Sequence, residues 1–325
     1  MRRILPSGIA GLLGATLLAV PAAAQDEALD RIDLPTGWQP EGVTTDGTTL
    51  FAGSLADGAI LRADPATGET TVLAEGAEGR VSVGVDLDGA GRLWAAGGPT
   101  GEIRAYDAAS GELLETYPVE AGFLNDVVAT DGAVYVTDSF MPQLLVIPLG
   151  EGGALPAPEE ATSLAIGGEL EYADGFNVNG IVATDAGLVV VHSAEGQLYR
   201  IDPASGEAAL IDIGEASVSN GDGLELDGQR LYVVRNQLNQ VVAFDLDEGT
   251  TTATLVGEAS SDDFDVPTTA ALIGDDLWAV NARFGTEPAA ESEYWITRVD
   301  APGGDMAEDD MAEDDMAEDD MAEDD

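Results

Sequence analysis

The sequence predicts an all-β chain folded as a six-bladed β-propeller, with four-stranded antiparallel blades around a central channel. Three observations lead there. A short pattern recurs, in which a polar or turn residue, usually followed by Gly, opens an apolar run: Glu41-Gly42-Val43, Val83-Gly84-Val85, Asn125-Asp126-Val127, Asn179-Gly180-Ile181, Asp222-Gly223-Leu224 and, more weakly, Pro267-Thr268-Thr269. Its apolar anchors, Val43, Val85, Val127, Ile181, Leu224 and Thr269, lie 42, 42, 54, 43 and 45 residues apart. A period in the forties with turns inside it is that of propeller blades. Within most units an Asp-Gly pair follows (Asp46-Gly47, Asp88-Gly89, Asp131-Gly132, Asp227-Gly228, with Asp185-Ala186-Gly187 as a variant). Asp-Gly between β-rich runs marks a tight hairpin, because its turn needs positive φ.

Taken in order, residues 1–24 read as a cleavable secretory signal: Arg2 and Arg3, an apolar run from Ile9 to Val20, then Ala22-Ala23-Ala24. The apolar run is too short to span a membrane and nothing later replaces it. The chain is therefore expected to be periplasmic or extracellular, with no membrane span. Residues 25–304 form the expected propeller domain, a monomer. Leu29 to Leu34 is expected to supply the outer strand of the last blade, whose own run ends at Ile296-Thr297-Arg298-Val299. Without it the ring would leave an unpaired edge. A second turn signal recurs as Asp64…Gly68, Asp107…Gly111, Asp202…Gly206 and Asp245…Gly249. Blade three lacks it and is followed by the longest insertion, about residues 150–175. From Asp305 the chain repeats Met-Ala-Glu-Asp-Asp to Asp325, an acidic tail expected to be solvated and disordered, or alternatively a loose cation sponge.

Composition excludes several functions. With 62 Asp and Glu against 12 Arg and no Lys, the chain repels nucleic acid and anionic membranes. Absent cysteine removes disulfides and thiol chemistry. His192 is the lone histidine and no Gly-x-Ser-x-Gly elbow occurs, so a serine triad has no support. No phosphate loop or dinucleotide fingerprint is present.

In a propeller the innermost strands all start at one mouth of the channel, so the residues before the anchors converge. Glu41, Asn125, Asn179 and Asp222 would meet there as two carboxylates and two amides. Such oxygens suit a hard divalent cation, calcium first, with magnesium or manganese next and zinc less natural. The plainer alternative is turn chemistry at Asn179-Gly180 and Asp222-Gly223. Against it, these pairs precede the hairpin Asp-Gly, and Glu41, no turn former, occupies the same slot.

That ordered set resembles the senescence-marker-protein / gluconolactonase / luciferin-regenerating-enzyme family over about residues 40–300. The resemblance implies a six-bladed propeller with a divalent metal in its channel and, commonly, hydrolysis of sugar lactones. It implies Glu41, Asn179 and Asp222 as metal ligands, with Asn125 a ligand or substrate contact beside Asp126. One position departs: where family members acting on sugar acids often carry Arg, two residues before Asn125, this chain has Phe123. Arg235 or Arg283, each following a second-strand run, is a candidate substrate contact, with Asp138 and His192 in the equivalent place, or else each is an ordinary loop residue.

The expected function is therefore an exported, metal-dependent lactone or ester hydrolase acting on a small-molecule substrate. The cation would polarise the carbonyl and Asp222 would activate water as general base. The alternative is a non-catalytic propeller that binds a ligand or protein, its channel metal only structural.

Overall fold

The computed structural model describes residues 29–287 and 290–303. The leader read over 1–24 and the acidic tail of 305–325 lie outside the described residues. A first short strand, β1 (Arg31–Asp33), precedes the blades. Blade one is β2 (Pro40–Thr45), β3 (Leu50–Ser54), β4 (Ile60–Ala63) and β5 (Thr70–Ala74). Blade two is β6 (Val85–Leu87), β7 (Arg92–Ala96), β8 (Glu102–Asp107) and β9 (Leu113–Pro118). Blade three is β10 (Leu124–Ala129), β11 (Ala133–Asp138), β12 (Gln143–Pro148) and β13 (Thr162–Ala165). After β14 (Gly167–Gly168), blade four is β15 (Val178–Thr184), β16 (Gly187–His192), β17 (Gln197–Ile201) and β18 (Glu207–Leu210). Blade five is β19 (Gly221–Asp227), β20 (Arg230–Arg235), β21 (Gln240–Leu246) and β22 (Ala253–Ser260). Blade six is β23 (Pro267–Ile273), β24 (Asp276–Asn281) and β25 (Trp295–Asp300), and β1 pairs antiparallel with β25 to complete it. The six sheets are antiparallel four-stranded blades, with β14 added to blade four as a short parallel rung on β18.

Strand alternation explains the core. Successive side chains point to opposite faces, and in a propeller both faces meet a neighbouring blade. Along β20, Leu231 and Val233 pack with Val189 and Val191 of blade four, while Tyr232 and Val234 pack with Leu277 and Ala279 of blade six. Along β7, Leu93 and Ala95 face blade one, while Trp94 and Ala96 face blade three. The core is thus six clusters, one between each pair of adjacent blades. Closure follows the same logic: Ile32 and Leu34 enter the cluster between blades six and one. Arg298 clasps the junction, donating its backbone N–H to Asp30 and ion-pairing with Asp30 at 2.7 Å and Asp276 at 3.0 Å.

Most turns follow the expected chemistry. Gly68, Gly111 and Gly206 adopt φ of 74, 74 and 77° and each donates its N–H to the carbonyl of the Asp four residues before it. Blade five differs from the expected Asp245…Gly249 turn. Asp245 instead pairs with Arg230, and Asp247 caps the loop, with Thr250 taking the positive φ. Among the Asp-Gly pairs, Gly47 and Gly228 have positive φ; in blade two that role falls to Gly91, two residues after the expected Gly89.

The feature that builds the channel mouth is a bulge at the start of the innermost strand. Between Pro40↔Ser54 and Val43↔Ala52, two residues of β2 oppose one of β3; the same shift occurs in β10, β15, β19 and β23. Such a bulge re-aims side chains and increases twist. It also corrects the sixth anchor. β23 shifts between Pro267 and Ala270, so Ala270, not Thr269, matches Val43, and Thr268 rather than Pro267 holds the mouth position. The second bulge residue is glycine in three of these five strands (Gly42, Gly180 and Gly223), because the next blade presses against it. A Cβ on Gly180 would meet the Asp222 carbonyl oxygen at 2.4 Å, and one on Gly42 would meet that of Val83 at 2.4 Å.

The insertion after β12 divides. Its first part lies against the outer edge of blade two, where Arg92 donates to the Gly153 carbonyl and Tyr117 to that of Pro156. Its last part, after β14, turns inward to the channel mouth.

Candidate functional site

Four of the six mouth positions carry oxygen donors read from the sequence, and the structure brings them together. Glu41, Asn125, Asn179 and Asp222, all buried, line one cavity of about 560 Å³. Val83 lines it from blade two. Asn236 Nδ2 donates to Asp222 Oδ2 at 2.6 Å, and the Asn179 side chain also hydrogen-bonds that carboxylate. Asn125 Nδ2 donates to Ser139 Oγ at 2.9 Å.

The carboxylates are held against their preference for water. Burial first, then the negative charges of Asp222 and Asp126, holds the Glu41 carboxyl well above its usual range. Burial likewise raises Asp222, outweighing the bonds from Asn236 and Asn179 that lower it. No Arg or His is among the residues that line the cavity. Two carboxyls crowded with amides and lacking a basic partner form a donor set that fits a hard divalent cation. Among the described residues, no group of three or more His, Cys, Asp or Glu is placed to hold a metal ion. The fit therefore depends on the amide oxygens of Asn125 and Asn179 completing the pair.

Asp126 lies deeper. Its Oδ1 accepts the N–H of Val127 and its Oδ2 that of Ile181 on the next blade. Asp86 bridges in the same way to Ala129, and Glu225 to Leu272. These carboxylates tie neighbouring innermost strands together along the channel. They are enclosed by the ring even where channel solvent reaches them, and burial raises Asp86 to about 6, Asp126 to about 7 and Glu225 to about 8.

Of the expected substrate contacts, Arg235, Arg283, His192 and Asp126 do not line the cavity, and neither does Asp138. Arg235 turns to the Ser219 carbonyl and to Gln240 Oε1. Arg283 pairs with Asp265 at 2.7 Å and lies over the Trp295 ring. His192 is fully buried between Tyr172 and Tyr199; its Nδ1 accepts the Glu195 N–H, so Nε2 donates to the Glu171 carbonyl. For the two arginines and His192 the residue one further along lines the cavity: Asn236, Phe284 and Ser193. A one-residue step at a strand end exchanges the inter-blade face for the mouth, and nothing in residue type marks which side it takes.

The sequence reading also misses the aromatic side of the cavity. Phe123 and Phe176 line it, with Phe140 packed against both. Phe123 sits where the family resemblance led to an arginine, and Phe176 arrives from the inward end of the insertion.

The family model described as outer membrane protein assembly factor BamB matches residues 156–304, under half of the chain. No curated protein matches it. Among solved structures the chain is similar to the Mala s 1 allergen of Malassezia sympodialis, at 17% identity and TM-score 0.61 over 84% of this chain and 96% of that one. It is similar to a luciferin-regenerating enzyme at 15% identity and TM-score 0.56, over 82% and 93% of the two chains. It is similar to virginiamycin B lyase from Staphylococcus aureus at 13% identity and TM-score 0.55, over 77% and 80%. At these identities the likeness establishes the propeller and nothing finer.

Proposed function

We propose that the protein is an exported hydrolase of the lactonase type, opening a lactone or related ester at the channel mouth with a bound divalent cation. One observation carries the reading: four blades converge Glu41, Asn125, Asn179 and Asp222 on a single cavity whose lining has no basic side chain. Glu41, Asn179 and Asp222 would hold the cation, with Asn125 as a further ligand or substrate contact. Calcium suits this oxygen set best, with magnesium, manganese and zinc as alternatives.

Bound there, the cation supplies electrophilic polarisation of the substrate carbonyl. Asp222 accepts a proton from the attacking water, and the Asn236 amide keeps its carboxylate in place. The water oxygen bonds to the carbonyl carbon, the ring C–O bond breaks, and the proton passes from Asp222 to the departing oxygen, giving a hydroxy acid. The resemblance of the ordered donor set to the gluconolactonase / luciferin-regenerating-enzyme family supports the same reading. The apolar run at the N-terminus supports a periplasmic or extracellular location.

A lactone panel, run with and without EDTA on the wild type and Asp222→Asn, tests it. Turnover should vanish with EDTA and return with calcium. Asp222→Asn should lower kcat by about 10²–10⁴-fold while the melting temperature holds. Undiminished hydrolysis by this variant overturns the role of Asp222. A melting temperature lowered by EDTA, with no turnover on any lactone, would instead make the propeller a non-catalytic binding scaffold with a structural cation.

A further inference from the structure

The aromatic side of the mouth is a built surface. Phe123, Phe140 and Phe176 pack on one another with ring centroids 5.8, 5.3 and 4.9 Å apart. Yet Phe140 and Phe176 stay 49% and 45% exposed. Rings left facing solvent forgo the stabilisation of burial, and such patches mark places where something else covers them.

Two buried polar side chains hold these rings in place. Asp138 is fully buried; its Oδ1 accepts the backbone N–H groups of Phe123, Phe140 and Met141, each at 3.0 Å, and its Oδ2 accepts that of Gly122 at 2.8 Å. One carboxylate thereby ties the segment leading into β10, which carries Phe123, to the loop carrying Phe140. Asn177 does the same for Phe176. Its Oδ1 accepts the Ala173 N–H, and its Nδ2 donates to the carbonyls of Ser139, Ala173 and Gly175. Tyr172 adds a bond from its hydroxyl to the Asp138 carbonyl at 2.7 Å. Rings fixed in this way cost a ligand no further ordering when it stacks on them.

We infer that the mouth takes an uncharged ligand with a flat, apolar or aromatic ring. The ring lies against Phe123 and Phe176, and the ligand's carbonyl end points to Glu41, Asn179 and Asp222. The inference deepens the hydrolase reading by naming its substrate class, and rests on that reading only for the identity of the reacting end. An anionic ligand is disfavoured, because the lining offers it no basic side chain. A cleft of about 560 Å³, with a few polar side chains among apolar ones, is that of a small-molecule site rather than a protein-docking face.

The test uses 2-tetralone, the carbocyclic analogue of the aromatic lactone dihydrocoumarin, which binds without being hydrolysed. Its affinity for the full chain and for Phe123→Ala and Phe176→Ala is measured by titration calorimetry, with phenylacetate, phenyltrimethylammonium and glucose as competitors. Each alanine variant should weaken 2-tetralone binding by about tenfold, and the three competitors should not displace it. Unchanged affinity in both variants, or displacement by phenylacetate, phenyltrimethylammonium or glucose, overturns the inference. If 2-tetralone binds as expected but dihydrocoumarin is not opened, the apolar site stands and the hydrolase reading falls. If a sugar lactone is opened while 2-tetralone fails to bind, the hydrolase reading stands and this inference falls.

Discussion

At the scale of single residues, the mouth depends on what the second bulge residue is. Glycine occupies that position in three of the five bulges, and the neighbouring backbone leaves no room for more. Gly180→Ala would place a Cβ at 2.4 Å from the Asp222 carbonyl oxygen, and backbone cannot swing aside as a side chain does. The substitution should destabilise by about 1–3 kcal/mol and displace Asp222, so both the melting temperature and cation affinity should fall. Gly89→Ala is the control, since a Cβ there meets nothing within 4 Å. Wild-type cation affinity in Gly180→Ala would show that the bulge does not set the site. Residue type made the four oxygen donors legible in the sequence, because Glu41 and Asp222 are unexpected immediately before an apolar run. It did not distinguish Arg235 from Asn236 or His192 from Ser193. Those pairs differ only in which side of a strand end they occupy, and that is decided by pairing across the bulge.

At the scale of elements, strands, hairpins and their period were readable because each blade repeats one alternating pattern. The sixth anchor slipped by one because Thr268 and Thr269 are chemically alike, and only the pairing of Pro267 with Asn281 shows where the bulge falls. The inward end of the insertion had no periodicity to read. Its order comes from Asn177, a buried amide bonded to four backbone groups along and beside the segment. Asn177→Ala removes those four bonds, at a cost of about 1–3 kcal/mol for each group left buried and unsatisfied, while the Ser139 carbonyl keeps its bond from the backbone N–H of residue 177. Hydrogen exchange over residues 169–177 should then quicken while the blades keep their protection. Protection lost evenly across all six blades would show that Asn177 supports the ring rather than the segment.

At the scale of the whole molecule, the channel carboxylates set a pH dependence. Asp86, Asp126 and Glu225 titrate at about 6, 7 and 8 in the folded chain, against about 4 when exposed. The native state therefore holds more protons than the unfolded one across that interval, and its stability falls as pH rises from about 4 to about 8. Thermal melts should show higher stability at pH 5 than at pH 8. Glu225→Gln should flatten the slope, and a slope unchanged in that variant would place its origin in the chain's overall net charge of −50 instead. Added salt at pH 8 should raise the melting temperature by screening that charge.

The ring is shut by pairing positions 268 residues apart, Asp30 with Arg298. Contacts so distant along the chain form late and slowly. Until they do, the free edge of β25 is a template for any strand of matching register. A β1 segment from another molecule satisfies it as well as the chain's own. Refolding at high concentration should therefore yield a fraction of strand-exchanged dimers. Dilution before the final pairing should suppress them, and a permuted chain that carries residues 29–34 directly after residue 303 should abolish them.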